Sequence, residues 1–238
     1  MAVSWTLKAI HTHAWDFWLA RGSVALIAGL QLLMFNDLTI GPRWLAPGVE
    51  IALLLPLSAA TAWTQANARE AQADHHWQRI AWERRMIRRL ALFLTALITI
   101  INFGALLELV HDLLAGSATK IGQTLLLDAL NIWATNVIVF ALWFWSIDHG
   151  GPATRGLVET EKCDFLYPQM TIGEPREPCT WSPGFIDYLY LSFTNATAFS
   201  PTDTLPLSGR AKLLMMTESA ISLLTIALVA ARAVNILA

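Results

Sequence analysis

Apolar residues fall along this chain in long runs rather than at alternate positions, and the polar residues between the runs come in clusters. Runs long and apolar enough to cross roughly 30 Å of hydrocarbon, at about 1.5 Å per residue, occur at 18–35, 49–66, 90–110, 125–145 and 213–237. The pattern predicts an all-α, polytopic membrane protein with about five spans. The first two windows are the shortest on apolar length. Arg21 lies at the start of one, where its long stem can snorkel, and Pro56 interrupts the other, as membrane helices tolerate. Ahead of them, Trp5, Ile10, Trp15 and Trp18 have a spacing that suits a short helix lying at the headgroup level, with simple anchoring as its ordinary meaning. Residues 1–17 lack the continuous apolar core of a cleavable signal, so the first span is expected to serve as one.

Composition agrees with the pattern. With 55% hydrophobic and 14% charged residues and a mean hydropathy of +0.48, the chain has too little polar material to coat a soluble globule. Charge is concentrated between the second and third windows, where "NAREAQADHHWQRIAWERRMIRR" holds six arginines against three acids, with Trp77, Ile80, Trp82, Met86 and Ile87 interspersed. Residues 67–89 therefore read as a basic, partly amphipathic connecting helix, and arginines clustered beside a span normally stay in the cytoplasm. A topology signal and nothing more is their ordinary meaning. His75 and His76 are adjacent and point in different directions on a helix, with no further donor nearby, so no metal and no cofactor are expected.

A second polar stretch, 148–186, is rich in proline, glycine and charge and predicts the one sizeable extramembrane loop. It holds both cysteines. A disulfide between Cys163 and Cys179 would close a short loop if that side is oxidising, and two reduced thiols satisfy the sequence nearly as well. Next comes "FIDYLYLSFTNATAF", apolar enough to enter a membrane but, at about 1.5 Å per residue, too short to cross it. The polar "SPTDTLP" that follows would be irregular backbone at membrane depth, tolerated only where protein buries it or where it lines a water-filled cavity. The predicted order is outer helix 125–145, loop 148–186, re-entrant half-helix and polar turn 187–206, inner helix 213–237. Together these form a unit at 121–238, distinct from the N-terminal helices at 1–120.

This order, with these residues, resembles the pore domain of the potassium-channel superfamily. That family's pore helix and filter read like S-x-x-T-A-T-T-V-G-Y-G-D-x-x-P, and the run here is S-F-T-N-A-T-A-F-S-P-T-D-T-L-P. Ser192, Ala196, Thr197, Asp203 and Pro206 match in place, and the likeness covers roughly 125–237. It implies a pore closed by copies of the chain, a homotetramer in the family's pattern. The departure is as informative as the match. Phe199, Ser200, Pro201 and Thr202 replace the filter's Val-Gly-Tyr-Gly, and without glycines the family's ladder of carbonyls aimed at dehydrated potassium is not expected. The lining would instead be Asn195, Thr197, Ala198, Phe199, Ser200, Pro201 and Thr202, with Asp203 as a ring at the mouth. A structural re-entrant loop whose polar groups satisfy one another is the competing reading. The triplet Asn195-Ala196-Thr197 also fits a glycosylation sequon, which burial at membrane depth would disqualify.

Among ionisable groups inside the windows, Glu218 in the last span is the inner-helix candidate, either lining a vestibule or paired with Lys212, Arg210, Thr217 or Ser222. Asn102, Asp128, Asn131 and Asn136 are placed to join helices by hydrogen bonds, while Glu108, His111 and Asp112 fall at a span end. No enzyme motif is present, and the half-helix is not repeated as an inverted-repeat transporter would require. The resulting expectation is an ion-channel-like protein of a bacterial inner membrane, not an enzyme. Its partners would be the lipid bilayer, monovalent cations and its own copies, and not nucleic acid. A non-conducting sensor or partner-binding subunit with a pore-like fold is the alternative. Sidedness is in tension: arginines at 67–89 in the cytoplasm put the loop 148–186 there too, whereas the resemblance, the cysteine pair and the loop's excess of acids favour the outside.

Overall fold

The computed structural model describes residues 2–33, 45–70, 77–114, 122–151, 163–171, 181–200 and 203–237. These form helices α1 (Ala2–Leu33), α2 (Leu45–Glu70), α3 (Trp77–Leu114), α4 (Gly122–Ile147), α5 (Phe185–Ala198) and α6 (Gly209–Leu237), with short 3-10 turns at Asp148–Gly150 and Pro168–Met170. Among the described residues, three helices are long and apolar enough to cross a membrane: Arg88–Asp112 within α3, Leu126–Gly150 along α4, and Gly209–Ala231 within α6. The windows expected at 18–35 and 49–66 fall largely on α1 and α2. The described apolar run of α2 is Pro47–Pro56, which at about 1.5 Å per residue covers about half of the hydrocarbon.

One expectation about helix limits is corrected. The tryptophan-bearing start of the chain is not a separate short helix, because α1 runs unbroken from Ala2 to Leu33 and no proline lies in that stretch to stop it. Of the basic segment expected as one helix at 67–89, the beginning closes α2 and the end supplies the first turns of α3. Residues 71–76, with His75 and His76, lie outside the described residues.

Helix α4 is the centre of the bundle, packing against α1, α3, α5 and α6, while α2 sits between α1 and α3. The reason is its composition: Ile132, Val139, Phe140, Ala141, Phe144 and Trp145 are all buried, while Leu126, Leu127 and Leu130 near its start stay exposed. At the far end of α4 the core is aromatic, with Phe17 and Phe185 edge-on to Trp145 and Phe165 edge-on to Phe144. Across the membrane layer, Asn102 Nδ2 of α3 donates to the Ile132 carbonyl at 3.2 Å, and Trp143 Nε1 of α4 donates to Thr99 Oγ1 at 3.0 Å.

Helix α5 has 14 residues, about 21 Å at 1.5 Å per residue. Its start is fixed twice. The Gly184 N–H donates to Asp187 Oδ2 at 2.7 Å, and the Phe185 N–H donates to Asp16 Oδ1 of α1 at 3.0 Å. Its end is marked by Phe199 in the left-handed region (φ 53, ψ 32), a stop that more often uses glycine. The chain then returns extended: β2 (Leu205–Pro206) pairs antiparallel with β1 (Phe165–Leu166), Phe165 opposite Pro206 and Leu166 opposite Leu205. The two ends of the polar turn are thus held by α5 on one side and by the preceding loop on the other.

The arginine-bearing start of α3 lies at the same end as this loop. A Cβ built on Gly151, just past α4, would stand 3.6 Å from Arg88 Nε.

Candidate functional site

The interface of α5 and α6 is polar inside. Glu218 is fully buried. Ser192 Oγ donates to its Oε1, and Asn195 Nδ2 donates to its Oε2 at 2.6 Å. Asn195 Nδ2 also reaches the Met215 carbonyl at 3.0 Å, and Ser219 Oγ donates to Asn195 Oδ1 at 3.1 Å. One turn on, Asn136 of α4 donates to Ser222 Oγ at 2.9 Å and to the Glu218 carbonyl at 3.3 Å. A three-residue spacing on α5 puts Ser192 and Asn195 on one face, so both meet the same carboxylate.

Several expected partners are elsewhere. Arg210 holds Asp164, Thr217 donates to the Leu213 carbonyl, and Ser222 receives Asn136. Glu218 therefore faces no vestibule within one chain. Asn195, expected as lining, is buried behind α5 because its amide is committed to α6. Of the two candidate helix-joining groups on α4 besides Asn136, Asp128 and Asn131 are both buried.

The opposite aspect of the same element is open. Thr197, Ala198, Phe199, Ser200 and Asp203 are all exposed in a single chain. Thr197 Oγ1 turns back to the Phe193 carbonyl at 2.8 Å, which uses its proton and leaves its lone pairs outward. Thr204, next to Asp203, is buried and donates to Asp203 Oδ1 at 3.4 Å. Pro201 and Thr202 lie outside the described residues.

At the end of α4 the loop forms a second polar hub. Asp148 is fully buried. Its Oδ1 accepts the Asp164 N–H at 2.7 Å, and its Oδ2 accepts the Tyr188 hydroxyl at 2.5 Å. Asp164, itself buried, takes both arms of Arg210 at 2.8 Å and 2.5 Å. This chain of contacts runs from α4 through the loop to α5 and to the first turn of α6. Cys163 is a free thiol that donates to the Phe165 carbonyl, and Cys179 lies outside the described residues.

Sequence reasoning named Cys163 and Arg210 in other roles but missed Asp148, because the residues that gather there are joined across a loop. It also missed Glu50, buried on α2 with Gln31 Nε2 donating to its Oε1 at 2.7 Å. The signal for Glu50 was available: an acid inside an apolar window is a candidate by default. Comparison of the chain with protein-family models, with curated proteins and with solved structures gives no match.

Proposed function

We propose that this is an integral membrane ion-channel-like protein, a cation pathway without potassium selectivity, built around α4, α5, the polar turn and α6. One observation carries the reading. A helix too short to cross the bilayer packs between two longer ones with its buried polar face satisfied, and it ends in a turn that leaves Thr197, Ser200 and Asp203 exposed in a single chain. Exposed hydroxyls and a carboxylate beside membrane helices are costly against lipid and favourable against water. Copies of the chain, four in the family's pattern, would enclose that water and bring the Asp203 carboxylates around one axis. Such a ring concentrates cations. Hydroxyls and retained water, in place of a glycine-supported carbonyl ladder, would separate potassium from sodium poorly.

The test is purified protein in planar bilayers under a potassium/sodium gradient. The expected result is a reversal potential near zero, with cation preference in a salt-dilution experiment reduced by Asp203→Asn. A reversal potential near the potassium limit would refute the selectivity argument. Silence at every voltage and lipid composition would favour a non-conducting, partner-binding subunit with the same fold.

A further inference from the structure

We propose that Asp148, His149 and Cys163 form a binding site for a divalent transition-metal ion of the zinc class. The inference goes beyond the channel reading and does not depend on it. One carboxylate oxygen, one imidazole nitrogen and one thiol sulfur lie within 4.8 Å of one another. A tetrahedral centre with bonds of about 2.0 to 2.3 Å needs its donors about 3.3 to 3.6 Å apart. Asp148 Oδ2 and His149 Nδ1 are already 3.1 Å apart, so an ion could replace a proton between them with little movement.

Neighbouring residues on a helix do not ordinarily converge in this way. They do here because His149 adopts the left-handed conformation (φ 50, ψ 32) just past α4, which a non-glycine residue enters at a cost of roughly 1 kcal/mol or more. Gly150 and Gly151, also at positive φ, continue the turn. The loop then brings Cys163 back beside it, tied through Asp164 to the same carboxylate. The Tyr188 hydroxyl and the Asp164 N–H fix the Asp148 carboxylate from behind, which is how ligating groups are usually oriented by their neighbours. Both the His149 and the Cys163 side chains are part-exposed, so an ion has a way in.

The donor set selects the metal class. A mixed O, N and S set suits a borderline ion, and three protein ligands leave a fourth position for water. Binding would release the thiol proton now donated to the Phe165 carbonyl.

The experiment uses the full chain in detergent, reduced and treated with a chelator, then titrated with Co²⁺. Saturation at one ion per chain, with a thiolate-to-cobalt charge-transfer band that Zn²⁺ abolishes, is expected. Cys163→Ser and His149→Ala should weaken binding by about tenfold or more, and Cys179→Ser should leave the band intact. Because Asp148 is a structural hub, Asp148→Asn is a poorer variant. Mass-mapped maleimide labelling of the folded wild type provides a second measurement, with Zn²⁺ slowing modification of Cys163 but not of Cys179. No band, a band that survives Cys163→Ser, a band lost in Cys179→Ser, or equal labelling rates would each overturn the proposal, the second measurement deciding if a variant fails to fold.

Discussion

Glu218 shows what one buried carboxylate demands of its neighbours. Both of its oxygens accept hydrogen bonds, from Ser192 and from Asn195, so Glu218→Ala leaves a buried void and takes the acceptor from one Asn195 N–H. Thermal unfolding should report a loss of roughly 2–4 kcal/mol. Glu218→Gln should cost about 1 kcal/mol or less, for a reason visible in the geometry. Ser192 Oγ also lies 2.6 Å from the Val137 carbonyl, so its proton can turn there and its lone pair can accept the new amide N–H. Equal losses for the two variants would show that the network does not hold α5 on α6.

At the scale of elements, the loop after α4 is joined to α6 by a planar fork. Arg210 uses Nε and Nη2 on the two oxygens of Asp164, and Nη2 also reaches the Ile147 carbonyl at 3.3 Å. Lysine has the charge without the fork. Arg210→Lys should therefore lower stability by roughly 1–2 kcal/mol, since one arm on a buried carboxylate goes unreplaced. Protease cleavage within the loop 151–186 should quicken, and unchanged cleavage would mean that the β1–β2 pairing alone secures it. The same reasoning explains why α5 can be so short. Its first turn is capped by Asp16 from another helix and its last residue is followed by a strand that pairs elsewhere, so it does not depend on its own length for stability.

For the whole molecule, the neighbourhood of Arg88 and Gly151 gives a sidedness prediction. If α3 and α4 both cross, the arginine-bearing start of α3 and the loop after α4 share one side of the membrane. In a background with Cys163 and Cys179 replaced by serine, Met86→Cys and Thr171→Cys, both at exposed positions, should react alike with an impermeant maleimide on intact cells. One labelled and one protected would mean that α3 or α4 does not cross. The tension between cytoplasmic arginines and an outside loop thus becomes a choice of one side for both.

Long apolar runs determined the helices α3, α4 and α6 before any coordinates, because a run that must satisfy its own backbone in hydrocarbon has only the helix available. The polar interruption after Phe199 likewise marked the end of α5 to within a residue, since Ser200, Pro201 and Asp203 cannot continue an apolar helix. Partner choice was not legible. Glu218 pairs with residues 23 and 26 positions away rather than with its own helix, Asp16 caps a helix 169 positions on, and Asp148 meets His149 and Cys163 where His149 turns left-handed and the chain returns at Asp164. Periodicity records which face of a helix is apolar. Which other face lies against it, and so which buried donor meets which acceptor, is fixed by how the helices pack around α4, a choice made by the core as a whole and written at no single position.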